Sequence, residues 1–174
     1  NAKSKLTYTQ YLIGSDRYVS LDGEAYFDVV SDSDNPFFVS TSDAQIKVTG
    51  TRFAVSAYHD DPFVTTHLEE GIVTFMTKKS DTEHKLAPGQ LVKMDRQSES
   101  LEFSSPENLI AGDWKNGELN FYDERFERIA KKLERRFDID IQFTNASIPD
   151  LRFTAEFEQE NLQQILNFIE LASA

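Results

Sequence analysis

Apolar and polar residues alternate along most of the first hundred positions. In Glu24-Ala25-Tyr26-Phe27-Asp28-Val29 this puts Ala25, Phe27 and Val29 on one face and Glu24, Tyr26 and Asp28 on the other, the two-residue period of a strand with one buried face. Similar short segments are predicted around Leu6 to Ile13, Tyr18 to Leu21, Phe37 to Thr41, Ala44 to Thr49, Phe53 to Tyr58, Val64 to Glu69, Val73 to Lys78, Leu91 to Met94 and Leu101 to Phe103. Strands at this spacing, punctuated by Asp, Gly, Asn and Ser, predict an all-β sandwich, barrel or coil-like stack.

Three of these runs carry a glycine ahead of an aromatic: Gly23, expected to open its strand, before Tyr26, Gly50 before Phe53, and Gly71 before Phe75. Across Gly50 the apolar positions change parity, from Ile46 and Val48 to Phe53, Val55 and Ala57. A corner at which the strand switches face or sheet accounts for the change. Recurrent corners favour a β-helix-like or jelly-roll arrangement. Ser31 to Asn35 is a polar turn cluster before Pro36, a proline that can open an edge strand, Lys78-Lys79-Ser80-Asp81 a hairpin tip, and Pro88-Gly89 the central pair of a type II turn.

Composition changes from Ser104-Ser105-Pro106 to Gly112, and the period changes beyond it. We expect an all-β domain over 1–106 and a small α+β domain over 112–174. Leu119 and Phe121 alternate as a strand, then Asp123 offers an N-cap to a helix with Phe126, Ile129, Ala130, Leu133 and Phe137 on one face. Glu127 and Lys131 stand at i and i+4 on the other. Burial of Phe126, Ile129, Leu133 and Phe137 contributes about 6–12 kcal/mol as an upper bound. Ile139, Ile141 and Phe143 form one further strand face, and Leu151, Phe153, Ala155 and Phe157 another. A second helix from about Asn161 turns Leu162, Ile165, Leu166 and Ile169 inward. These are five elements of a β-α-β-β-α-β unit.

The formal charge of -12 argues against nucleic-acid or anionic-membrane surfaces; Lys131-Lys132 with Arg135-Arg136 fits a solvated helix face. No cysteine is present, and no apolar run has the roughly 20 residues of a membrane helix. The sequence opens at Asn1 and stops within a predicted helix, so we take it as a piece of a longer protein.

Gly23 to Val29, Pro36-Phe37, Gly50-Thr51 with Phe53, Val55 and Tyr58, Leu68-Glu69-Glu70-Gly71 and Pro88-Gly89-Gln90, in that order, resemble the periplasmic region of FecR-type anti-sigma regulators, particularly the Bacteroidetes-type branch. Trp114-Lys115-Asn116-Gly117-Glu118-Leu119 opens the second part as in the small signalling domain of secretins and TonB-dependent transporters. The resemblance covers about 20–172. Thr49-Gly50-Thr51 and Phe53-Ala54-Val55 depart from the commoner Leu-Gly-Thr and Phe-Asn-Val, changes that a β core absorbs.

The resemblance implies a twisted β-helical first domain and a small module whose final strand is missing. It also implies the periplasmic part of an inner-membrane single-pass protein. Such a region receives a signal from the periplasmic signalling domain of a TonB-dependent outer-membrane transporter. A transmembrane helix and a cytoplasmic segment would then control an extracytoplasmic-function sigma factor.

Candidate chemistry is sparse. His59 beside Asp60 and Asp61, and His67 before Glu69, could ligate a metal, but scattered histidines on strands are more commonly surface residues. Glu24 and Asp28, four residues apart on one strand, are about 13 Å apart, beyond the roughly 5–9.5 Å of a glycosidase pair; Glu69 and Glu70 fare no better. Tyr26, Phe37, Phe38 and Tyr58 could line a carbohydrate platform, the runner-up function, though with 14 phenylalanines a core role is commoner. A structural scaffold is the third option. We expect no enzyme activity, cofactor or metal. The candidate partner-binding residues are Arg152, Phe153, Thr154, Ala155, Glu156 and Phe157, an alternating edge able to take a partner strand.

Overall fold

The computed structural model describes residues 1–8, 17–80, 82–106 and 113–172. Two compact units are present, Lys3–Gly112 and Asp113–Ala174.

The first unit contains β1 (Lys5–Tyr8), β2 (Arg17–Val29), β3 (Phe37–Ser40), β4 (Ala44–Val48), β5 (Thr51–Ala57), β6 (Phe63–Glu70), β7 (Val73–Thr77), β8 (His84–Leu86), β9 (Leu91–Asp95) and β10 (Leu101–Ser104). The ladder runs β10-β9-β6-β5-β2-β3-β4-β7-β8, with β1 also on β2. Every pair is antiparallel except β2 with β3. Strand β2 joins two sheets, because Arg17–Ser20 pairs with β3 while Gly23–Val29 pairs with β5. The sheet therefore curls. Side chains from both halves, Val39, Ile46 and Phe75 from one and Phe53, Val64 and Met94 from the other, fill a single core.

The chain passes from one half to the other at Gly23 inside β2, at Gly50 between β4 and β5, at Gly71 between β6 and β7, and at Gly89 between β8 and β9. At Gly71 the requirement is steric as well as conformational: φ is 95°, and a Cβ would lie 2.5 Å from the Gly50 carbonyl oxygen. The parity change across Gly50 is a change of sheet, with Ile46 and Phe53 reaching the same core from opposite sides. Pro88-Gly89 forms the expected turn, with Gly89 at φ 81° and the Gln90 amide donating to the Ala87 carbonyl at 3.0 Å.

Two details differ from the pattern. Gly23 does not open a strand but bends one, since pairing continues along β2 on both sides of it. Strand β8 is too short to show a period and is held in place by its ladder to β7. The expected strand from Leu6 is seen as β1; its remainder lies outside the described residues, as do Asp81 of the hairpin tip and residues 107–112 of the expected boundary.

The second unit contains β11 (Leu119–Arg125), α1 (Phe126–Phe137), β12 (Arg152–Phe157) and α2 (Leu162–Ala172). Strands β11 and β12 pair antiparallel with a register shift between Phe121 and Glu124. Asp123 lies in this bulge at φ 47° and is not the helix cap; β11 pairs as far as Arg125, so α1 starts at Phe126 without a side-chain cap. Phe121, Ile129, Leu133, Ala155, Phe157 and Ile165 form the core, bordered by Phe137, Ile141, Phe153 and Ile169. Leu166 and Leu151, expected inward, are 40% and 53% exposed, because α2 turns Ile165 and Ile169 to the core, leaving Leu166 beside that stripe, and Leu151 precedes the ladder.

Ile139 to Phe143 alternates half-buried and exposed residues as expected for a strand, but it joins no ladder among the described residues. The end of α1 holds it instead. Asp138 closes the helix in the left-handed conformation at φ 53°, the Ile139 amide donates to the Glu134 carbonyl at 3.3 Å, and the Ile141 amide donates to Glu134 Oε1 at 2.8 Å.

Candidate partner-binding surface

Alternation divides β12 into two sets of side chains. Phe153, Ala155 and Phe157 face the core. Phe153 packs on Phe126 at 5.5 Å and edge-on to Phe168 at 6.3 Å, and Phe157 meets Phe168 at 5.5 Å and Phe121 at 6.1 Å, centroid to centroid. These tilted and edge-on geometries are the ones that aromatic quadrupoles favour.

The opposite set, Arg152, Thr154 and Glu156, is exposed and engaged with β11. Arg152 Nη1 lies 2.7 Å from Asp123 Oδ2, Thr154 Oγ1 accepts from the Asp123 amide at 2.9 Å, and Glu156 Oε1 accepts from the Tyr122 hydroxyl at 2.8 Å. The bulge at Asp123 presents its amide and carboxylate to two successive outward residues of β12. The sequence pattern does not mark Asp123 and Tyr122 as members of this surface, because a bulge leaves only a local loss of alternation after Phe121. Since β12 has β11 as its single ladder neighbour among the described residues, the six expected residues form an edge strand with one core face and one polar face.

The other candidates resolve differently. His59 is exposed and its Nδ1 lies 3.5 Å from Asp22 Oδ1; His67 is buried on β6. Among the described residues no group of three or more His, Asp or Glu side chains is placed to hold a metal ion. Glu69 and Glu70 both pair with Arg52, the first at 3.4 Å. Glu69 also accepts from the Tyr26 hydroxyl at 2.8 Å. Burial, then this hydrogen bond and the Glu69 charge, push the Tyr26 hydroxyl up to about 12. Glu24 accepts from the Asn1 side chain.

The aromatics are not arranged as a flat platform. Tyr58 is buried and its hydroxyl accepts from Ser4 Oγ at 3.3 Å. Phe37 packs on the core, and Phe38 stacks on Tyr18 at 4.6 Å with ring planes 9° apart, so each ring covers a face of the other.

The model for FecR protein matches residues 1–74, and that for the FecR C-terminal region matches residues 118–174. The chain belongs to the FecR family. Two crystal structures of a protein assigned as an anti-sigma factor, from Parabacteroides distasonis ATCC 8503 at 1.65 Å and 2.50 Å, superpose with a TM-score of 0.90 each. They are 25% and 24% identical to it, over 99% of this chain and 80% of theirs. No curated protein matches the chain.

Membership makes this FecR chain part of an anti-sigma regulator, a class whose regulatory partners include sigma factors and which is typically not enzymatic. FecR proteins are membrane-anchored; among the described residues no helix is long and apolar enough to cross a membrane.

Proposed function

We propose that this FecR chain is the periplasmic, signal-receiving region of its regulator. The signalling domain of a TonB-dependent outer-membrane transporter binds it, and a membrane segment relays the event to an extracytoplasmic-function sigma factor. The observation that carries this reading is the small α+β unit itself. It offers an edge strand, β12, whose core-facing side is packed and whose polar face carries Arg152, Thr154 and Glu156. Such an edge takes a partner by main-chain hydrogen bonding with alternate side chains setting specificity. Residues 1–106 and 112–174 act as separate domains in this proposal, and binding to the second changes their relative placement or their sensitivity to proteolysis.

Titration calorimetry of the chain against the purified signalling domain of the transporter encoded beside it tests the reading. Saturable one-to-one binding, weakened by Arg152→Glu, is expected. No heat at high concentration of both proteins would sink it.

A further inference from the structure

Lysines without an acidic partner gather on one face of the first unit. Arg52, Lys79, Lys93 and Arg96 each pair with a carboxylate, whereas the amines of Lys5, Lys47, Lys78 and Lys85 make no ion pair or hydrogen bond among the described residues. Lys47 on β4 and Lys85 on β8 flank Thr74 of β7 in the ladder. Their chain neighbours Ile46, Val48 and Leu86 turn to the core, so the lysines face outward. Lys78 keeps the parity of Thr74 and Met76 just past β7 and is exposed. Lys5 lies on the same side of β1, opposite Asp22. Between Lys47, Lys78 and Lys85 the outward positions carry Gln45, Thr74 and Met76, and Lys47 Nζ lies 5.9 Å from the centroid of the Phe38 ring beside it. The outward ladder positions of β3, β4, β7 and β8 hold no Asp or Glu; Glu83 stands at the margin, just before β8. In a chain with a formal charge of -12, this face is a local exception.

We propose that the outward face of β4, β7 and β8 docks an acidic amphipathic helix of a partner protein. The inference concerns the first unit and stands apart from the reading of β12. Strand addition is closed to this face, because β3, β4 and β7 have ladder neighbours on both sides; what it takes is a layer laid across it. Lys47 and Lys85 stand two strands apart, about 10 Å, and helix residues a heptad apart are separated by about the same distance. Two carboxylates at that spacing meet both amines and relieve the repulsion between them, and apolar residues on the same stripe lie on Met76 and the Thr74 methyl. The chain's net charge favours a compact occupant: an extended anionic surface, of lipid or nucleic acid, would also meet the acidic remainder of the molecule.

The test uses the whole chain and two helical peptides of about 20 residues with identical composition. The first carries glutamates a heptad apart with leucines between them on one face; the second has the same residues scattered around the helix. Calorimetry is expected to show saturable binding of the first peptide alone. Lys47→Glu or Lys85→Glu should weaken it about fivefold with the melting temperature unchanged, and Lys5→Gln should leave it as it is. Acetylation of the lysine amines, followed by mass spectrometry, is expected to slow at Lys47, Lys78 and Lys85 when the peptide is bound, and not at Lys5. Protection of other lysines instead, or equal binding of the two peptides, would overturn the docking face. Binding of phosphatidylserine vesicles that Lys47→Glu abolishes, with neither peptide bound, would make a lipid surface the occupant and overturn the one proposed. Absence of binding to peptides and vesicles alike would overturn the inference outright, and calorimetry with the transporter's signalling domain would still decide the reading of β12.

Discussion

The rings of His84 and Phe103 lie 5.6 Å apart, centroid to centroid, and join the two ends of the first unit's ladder, β8 and β10. No hydrogen-bonded pairing links these strands, so a side-chain contact helps close the curled sheet and shelters two edges that would otherwise invite further strands. Phe103 is 45% exposed, so its truncation loses less than a fully buried phenylalanine would. Phe103→Ala is expected to destabilise the first unit by about 1–2 kcal/mol in urea unfolding, and to speed hydrogen exchange selectively in β8 and β10. Acceleration spread evenly over all strands would show that the contact is not a local seam.

Gly71 and Gly89 both have positive φ, at 95° and 81°, but their surroundings differ. A Cβ on Gly71 would lie 2.5 Å from the Gly50 carbonyl oxygen, whereas nothing lies within 4 Å of one on Gly89. Gly89→Ala therefore meets the conformational penalty alone, about 1–2 kcal/mol. Gly71→Ala adds a backbone clash at a stacked corner and is expected to cost at least about 3 kcal/mol. Thermal unfolding of the pair checks this, and equal losses would refute the steric account.

The corners were legible because alternation records which face a residue uses: Ile46 and Phe53 differ in parity, and both are fully buried in one core. The pairing order was not legible. The parallel union of β2 with β3 and the division of β2 between two partners depend on which strands meet across the core, and a single sequence does not encode that in any local period. In the second unit Ile129, Ala130 and Leu133, all buried, mark the helix but not its start at Phe126. Asp123 has the chemistry of a cap, but continued pairing of Arg125 with Arg152 outweighs one capping hydrogen bond, worth about 1 kcal/mol. The segment at Ile141 shows the converse. Its alternation is that of a strand, but among the described residues no neighbour pairs with it.

Tyr26 supplies a pH test. Burial, then the hydrogen bond to Glu69, raises its hydroxyl from 10.0 to about 12, so the folded chain holds this proton more tightly than the unfolded chain. The resulting contribution is fully present below pH 10 and is lost as pH rises through about 12. Stability is expected to fall across that window, and Tyr26→Phe should flatten its own share of the fall. Absorbance titration of the tyrosinates, with and without the substitution, checks the assignment; an unchanged high-pH component would refute it.

Arg96 ties three hairpin ends together. Its Nη1 donates to Ser42 Oγ at 2.8 Å and pairs with Asp43 in the β3–β4 turn, and its Nη2 donates to the Tyr58 carbonyl at 2.9 Å beyond β5. Its own amide donates to the Pro62 carbonyl at 2.9 Å, just before β6. The side chain is 17% exposed, so replacing it with an apolar chain strands a carbonyl and a carboxylate that it now satisfies. Arg96→Met is expected to cost about 2–4 kcal/mol. Arg96→Lys should recover only part of this, since an ammonium is a point donor and cannot reproduce the planar fork that reaches Ser42 and Tyr58 together. Urea unfolding of both variants decides the matter: a loss under about 0.5 kcal/mol for Arg96→Met would mean that the ladders alone hold these turns, and full recovery with lysine would mean that charge, and not the fork, is what matters.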